Sequence, residues 1–419
     1  MSTFVPELLS HSSQEMFSSN IIFNTKKMTI THSITFTLLV IISVVNFAMA
    51  QQPNHVNSRA VKDLGTLPPI ASLTNGVWLK GDLHVHSSHS TDGGNPSPNR
   101  HPVAKIIAFA KSVGFGFIAI TDHDNHVLGD VEHNTWADPD FKSDSVLLLY
   151  GAEWTTTRGH GNTFSAKPYN HQKLYDVRDQ RDVVIGSVKK ELGIHLSANH
   201  PAGPKDHFGF SYDLVNSMEV WNSALWTKNA NSNLIWEDML ASGRRITARG
   251  GSDTHSPSDV NYIGTPTTWV FAVNRSSQAV IDALSNGRVS VSANPFAPRV
   301  EFYADLNQDN KMDMMMGDNA KATGKPVTFR VQLTGKVIPD SVYTISVIKN
   351  GRDFGSYKVT GQNPIVEFND TPVVLERSYY RLTVQGPSTD YPQVPRSMKV
   401  TGNMVALSNP LYFNFDPKF

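Results

Sequence analysis

Six apolar runs ending in polar groups constrain this chain more than any other feature. They are VWLKGDLHVH (77–86), FGFIAITDHD (115–124), VLLLYGAEW (146–154), IHLSANHP (194–201), SMEVWN (217–222) and RRITARGGSDTH (244–255). Between them lie stretches with helical spacing: PVAKIIAFAKSVG (102–114), VVIGSVKKELG (183–193) and about residues 229–241. The first of these has proline near its start and glycine just past its end, as helices prefer. Strands alternating with helices predict a parallel β/α architecture. Both a β/α barrel and a doubly wound sheet satisfy that pattern. In a barrel, the carboxyl ends of the strands are the face where sites are built.

Those ends carry the chemistry. Thirteen of the sixteen histidines lie between His84 and His255, and none follows. His84 and His86 are two apart, so in a strand they share a face. Later ends bring His123, Glu153, His160, His200, Asp253 and His255, and Asp92 follows the first run after a turn. Imidazole and carboxylate together suit Zn, Fe or Mn. Nine such residues exceed what one tetrahedral ion uses, so two or three ions are expected. Glu153 is of a type that bridges. Each piece alone has a plainer reading: a chance HxH, a turn cap at TDH, a Glu153–Arg158 surface pair, a helix cap at SDTH. Together they predict a metal centre.

The set DLHVH…TDG, ITDHD, GAEW, NHP and GGSDTH resembles the PHP superfamily of metal-dependent hydrolases (polymerase and histidinol phosphatase type). GHGN, EVWN and GRVSVSANPF resemble its carbaryl-hydrolase-like branch. The likeness covers roughly residues 76–300. It implies an α/β fold, a distorted (β/α)7 TIM-like barrel. It also implies one ion on His84, His86, Glu153 and Asp253, a second on Glu153, His160 and His200, and a third on Asp92, His123 and His255. Asp92 stands where some relatives place histidine. The implied reaction is hydrolysis of phosphoesters by metal-activated hydroxide, or of aryl carbamates or carboxyl esters on the same centre. An exported, non-catalytic ligand-binding protein is the competing class.

Around that centre, Arg249 and Arg245 are candidates to bind phosphate oxygens. His89 or His207 could protonate a leaving group. Asp122 could orient a ligand imidazole or cap a turn. Trp154, Trp221 and Trp226 could line an aromatic pocket or pack the core.

Residues 51–75 read as a linker or strap, residues 76–297 as the barrel, and residues 298–419 as a smaller all-β sandwich, from period-two runs such as VTFRVQL and YYRLTVQG. Within the last, DLNQDNKMD spaces Asp305, Asn307, Asp309 and Asp313 like calcium-loop ligands, with Asp318 in reach. It lacks the glycine and the final glutamate of that motif. An acidic turn is the alternative.

Lys26 and Lys27, the apolar run 34–47 and Ala48-Met49-Ala50 read as a secretory signal cleaved after Ala50. Met28 is an alternative start, and a membrane anchor is an alternative to cleavage. A periplasmic or secreted protein with no stable membrane span is therefore expected. Lysine plus arginine and aspartate plus glutamate number 37 each. With no basic excess, no nucleic-acid partner is expected, and a small-molecule ester is the expected substrate. Cysteine is absent, which excludes disulfides and thiolate sites.

Overall fold

Parallel pairing begins where the sequence pattern begins. In the computed structural model, which describes residues 59–90, 100–203, 207–255, 262–392 and 403–417, strand β1 (Val77–Val85) pairs with β2 (Phe117–Ile120), and β2 with β3 (Leu147–Tyr150). Helix α1 (Val103–Ser112) makes the crossover that parallel neighbours require. Its buried residues Val103, Ile106, Ile107 and Ala110 form one apolar stripe. The proposed signal segment, Met28, the first part of the linker and Asp92 lie outside the described residues.

A second sheet carries the next strands in the order β4 (Glu153–Thr156), β5 (Gly159–Phe164), β6 (His195–Ala198), β7 (Ser217–Asn222) and β8 (Thr247–Gly251). Helices α2 (Gln172–Asp176) and α3 (Asp182–Leu192) connect β5 to β6, and α4 (Ala230–Ser242) connects β7 to β8. Helix α3 stops at Gly193 and α4 at Gly243, both in the left-handed region. β6, β7 and β8 are parallel, but β5 runs antiparallel to both neighbours.

Isolated bridges Val85–Thr254 and His123–Glu153 join the two sheets at their carboxyl rims. Among the described residues, no continuous ladder closes the ring. The architecture is thus barrel-like and distorted, and the expected regular alternation is broken at β5. Glycine weakens strands, so GHGN carries little strand signal, yet it makes up most of β5. Here the glycines answer close approach. A Cβ on Gly159 (φ +113°) would sit 2.5 Å from the His207 carbonyl, and one on Gly161 would sit 3.0 Å from the Ser197 carbonyl.

β9 (Thr267–Ala272) pairs antiparallel with β1, α5 (Ser277–Ser285) follows, and β10 (Val289–Ser292) pairs with β9. From there the sheet runs on into the C-terminal strands. β11 (Arg299–Asp305), β12 (Met314–Met315), β13 (Asn319–Ala320), β14 (Val327–Thr334), β15 (Val342–Lys349), β16 (Arg352–Thr360), β17 (Ile365–Asp370), β18 (Ser378–Gln385), β19 (Met404–Ser408) and β20 (Leu411–Phe413) complete the chain. β10 pairs with β19, so one eleven-stranded sheet crosses the boundary expected after Ala297. A four-stranded antiparallel sheet, β12-β11-β14-β17, packs over it. β14 alternates buried and half-buried positions with period two. Phe302, Phe329, Tyr380 and Phe413 fill the space between the sheets.

Glu237 on α4 receives Arg381 Nε at 2.7 Å and the Tyr379 hydroxyl, both from β18, tying a barrel helix to the β-rich part. The described part of the linker behaves as a strap. Val61 N–H donates to the Leu375 carbonyl at 2.8 Å, and Arg288 donates to the Ser72 and Ala71 carbonyls at 2.8 and 3.0 Å. Among the described residues, no helix is long and apolar enough to cross a membrane.

Gly159→Ala is expected to destabilise the fold by more than about 1 kcal/mol, since it meets both the left-handed backbone and the His207 carbonyl. Urea unfolding checks this, and an unchanged midpoint would contradict the packing described for β5.

Candidate metal centre

β1 ends in His84 and His86, both fully buried, with rings 5.2 Å apart. Beyond β2 lies His123. β4 opens on Glu153, β5 holds His160, His200 follows β6, and Asp253 and His255 follow β8. The structure brings all eight together. Four overlapping groups have their ligand atoms within 4.8 Å of one another: His84/His86/Glu153, His84/His200/Asp253, His123/Glu153/His160 and His86/His123/His255.

Glu153 belongs to two of these groups and lies against histidines of all four. Its Oε1 lies 3.3 Å from His84 Nε2, 3.3 Å from His160 Nδ1 and 3.3 Å from His200 Nε2. Its Oε2 lies 3.4 Å from His86 Nε2 and 2.8 Å from His123 Nδ1. Asp253 Oδ1 lies 3.3 Å from both His84 Nε2 and His86 Nε2. Ligand atoms about 2.0–2.1 Å from a tetrahedral ion are about 3.3–3.4 Å apart. Most of these spacings are those edges.

The donor atoms also fit a cation on satisfaction grounds. His84 Nε2, His86 Nε2, His160 Nδ1 and Asp253 Oδ1 are buried with no hydrogen-bond partner. Leaving such groups unsatisfied costs about 1–3 kcal/mol each. The other ring nitrogens are bonded outward: His84 Nδ1 to Glu219 Oε1 at 3.0 Å, His86 Nδ1 to Ser90 Oγ at 2.9 Å, and His255 Nδ1 to the Asp253 carbonyl at 2.9 Å. The carboxylate and the carbonyl, which can only accept, fix the tautomers that aim Nε2 of His84 and His255 inward.

Burial opposes charge throughout the cluster, and neighbours decide the outcome. Burial raises the Glu153 and Asp253 carboxyls, but the imidazoles beside them outweigh it, and both are held below the usual range. Burial lowers His84, but Asp253, Glu219 and Glu153 together push it well above its ordinary value. His86 is pushed well below its ordinary value by burial and then by His255 and His123. Its ring stacks on His255 at 4.0 Å, where two imidazolium charges would repel. The carboxylates therefore call for positive charge that the histidines cannot all supply.

Backbone strain gathers at the same rim. His200 (φ +24°) and Asp253 (φ +55°) both occupy the left-handed region. Non-glycine residues rarely hold it unless their surroundings impose it. Asp253 N–H bonds the His84 carbonyl at 2.8 Å, and His200 N–H bonds Glu219 Oε2 at 2.9 Å.

Several expected roles move. Arg249 is fully buried beneath the rim and donates to Ser197 Oγ (2.6 Å), Glu219 Oε1 (2.9 Å) and Asn199 Oδ1 (2.5 Å). It therefore holds protein groups rather than substrate oxygens. Arg245 precedes the amino end of β8, opposite the ligands, and donates to the Pro417 carbonyl at 3.3 Å. Asp122 holds Ser87 and Thr135 rather than an imidazole, accepting from Ser87 N–H (2.6 Å), Ser87 Oγ (2.7 Å) and Thr135 Oγ1 (2.7 Å). Arg158 pairs with Asp182 at 2.7 Å, which leaves Glu153 to the histidines. Trp154 and Trp221 are fully buried core residues, and Trp226 packs edge-on against Trp221 at 5.0 Å. His89 Nε2 bonds Asp138 Oδ2 at 2.6 Å with its side chain 29% exposed, while His207 is exposed.

In the candidate calcium loop, Asp305 accepts the N–H groups of Asn307, Gln308, Asp309 and Asn310, and Asp313 accepts that of Leu306. Asp318 is taken by Arg288 at 3.0 Å. The loop is closed by its own backbone. Among the described residues, every close group of three or more histidine and carboxylate ligands belongs to the barrel rim.

The sequence reading assigned no role to Glu219, Asn199, Ser90 or Asp124. Glu219 showed one sign, a lone carboxylate inside the apolar run SMEVWN. Asp124 accepts from Thr155 N–H and is bonded to His171 Nε2, both at 2.8 Å, and so braces the strand that carries Glu153.

No family model and no curated protein matches the chain. A solved two-domain protein from Bacteroides vulgatus ATCC 8482, containing a predicted PHP-like metal-dependent phosphoesterase, aligns over 81% of this chain and 97% of its own, with 18% identity and a TM-score of 0.40. The functional reading rests on the site residues and not on this likeness.

His84→Ala and Asp253→Ala are each expected to lower the metal content of the purified chain, read by elemental analysis. Wild-type content in both variants would refute the centre. In metal-free protein the depressed Glu153, Asp253 and Glu219 carboxyls stabilise the fold above about pH 4, and that contribution is lost as pH falls through their folded values. Chelated protein should therefore lose stability steeply on acidification below pH 4. A flat unfolding midpoint there would contradict the electrostatics described.

Proposed function

We propose that this chain is a metal-dependent hydrolase of phosphoester bonds. The observation that carries the reading is the convergence of buried, partnerless ligand atoms around Glu153 at tetrahedral edge spacing. When bound, divalent ions such as Zn, Mn or Fe would lower the pKa of water toward neutrality and neutralise charge on substrate oxygens. Two or three ions fit the four overlapping ligand groups.

The residues of the chain do the rest. Glu153 belongs to two groups, offers two oxygens and keeps neighbouring positions adjacent. Asp253 and His84 anchor the rim to β1 and β8. His89 is held by Asp138 and only half-buried, three residues past His86, and it is the group we assign to protonate the leaving group. With Arg249 and Arg245 bonded elsewhere, an anionic ester would be held by the ions themselves. The motif likeness to PHP hydrolases supports hydrolysis at this centre, and phosphoesters are the substrate class we assign to it. An aryl carbamate would find no aromatic wall at Trp154 and Trp221, which are buried in the core. Export to the periplasm or medium remains our reading of residues 26–50 alone.

The test is turnover of 4-nitrophenyl phosphate, bis(4-nitrophenyl) phosphate and an aryl carbamate by metal-loaded and chelated protein. Phosphoester turnover that chelation abolishes and metal restores is expected. Full turnover after complete metal removal would refute the mechanism, and carbamate turnover alone would refute the phosphoester assignment. His89→Gln should lower kcat by about 10²–10⁴ on an alkyl phosphate and little on nitrophenyl esters, whose leaving group needs no proton.

A further inference from the structure

The inward nitrogens define the groups, but the outward bonds divide them. Glu219, fully buried on β7, accepts from His84 Nδ1 at 3.0 Å and from His200 N–H at 2.9 Å. Its Oε2 also accepts from Asn222 Nδ2 at 2.9 Å, and the same amide lies 3.4 Å from Asp253 Oδ2. Glu219 thus supports all three members of the His84/His200/Asp253 group. Arg249 Nη1, at 2.9 Å from Oε1, holds this carboxylate in place.

Ser90, also fully buried, serves a different group. Its Oγ accepts from His123 N–H at 3.2 Å and lies 2.9 Å from His86 Nδ1. Those are two of the three members of His86/His123/His255. The bonds of Glu219 and Ser90 reach different ligands.

We propose that Glu219 and Ser90 are positioning residues for two separate ion positions, so that each position can be emptied without the other. This rests on the metal-dependent reading above. Glu219→Gln keeps the shape but not the bonding. Four donors face the two carboxylate oxygens, and an amide turns two of those contacts into donor against donor. Ser90→Ala removes the acceptor shared by His86 and His123. Loss of such a partner weakens metal binding roughly 10- to 100-fold.

The experiment titrates zinc ions alone into metal-free full chain and reads zinc per chain against a competing chelator dye. Far-UV circular dichroism and thermal unfolding of the metal-free variants report folding. Glu219→Gln should bind one ion fewer at limiting zinc. Adding His200→Ala should cost nothing more, whereas adding His255→Ala should remove a further ion. Ser90→Ala should show the reverse dependence. Asn222→Ala, which removes the link to Asp253 and one of the four donors to Glu219, should weaken the same position as Glu219→Gln and covers the case in which that variant does not fold. Parallel loss of all ions in both variants, or full retention in folded variants, would overturn the two supports and leave the metal reading standing. Wild-type chain that binds no zinc would overturn both.

Discussion

Glu153 sets the terms for the rest of the molecule. It is a fully buried carboxylate with five imidazoles around its two oxygens. A buried charge is tolerable only when paired and hydrogen-bonded. Asn199 Nδ2 supplies one bond at 2.8 Å, and the histidines face the remaining oxygen lone pairs. His86 and His255 stack too closely for both to be charged. Cations are the group that satisfies acid and imidazole at once, so the electrostatic problem of one residue becomes the binding chemistry of the rim.

That solution demands stiffness, and the fold supplies it from two directions. Inside, Arg249 reaches Glu219, Asn199 and Ser197, which joins β6, β7 and β8 beneath the ligands. Breaking a buried pair of this kind by removing one partner is strongly destabilising, because the other charge stays buried. Outside, Asp122 and Asp124 turn away from the centre and bind backbone just beyond β1 and within β4. The run TDHD therefore spends its two aspartates on rigidity, while His123 between them points at Glu153.

Much of this was legible because strand alternation and the placement of ligands at strand ends are local properties. The parallel order, the helices and eight gathered ligands follow from residue types and their periods. Glu219 and Arg249 were not legible in the same way. Their roles depend on which strands become neighbours, and a side chain inside an apolar run does not state which partner it meets. Arg249 beside the GGSDTH motif looked accessible to substrate, yet its neighbours across the barrel floor engage its Nε, Nη1 and Nη2. β5 was missed for a related reason. Glycine argues against a strand locally, and only the approach of the 207–208 backbone and of β6 explains why glycine stands there.

The boundary between barrel and sandwich shows the same dependence on long-range pairing. A change of period after Ala297 reads as a new domain, but β9 pairs with β1 and β10 with β19, so one hydrogen-bonded sheet spans both parts. β1 is the strand that presents His84 and His86. Its open side would otherwise expose an unpaired edge next to the most demanding residues in the chain. Pairing with β9 removes that edge, and the sheet beyond it anchors β9 in turn through the core of Tyr379, Leu407 and Tyr412. The C-terminal strands therefore act on the site without touching it. They fix the register of the strand whose alternation places two imidazoles on one face, and a one-residue slip of that strand would turn both away.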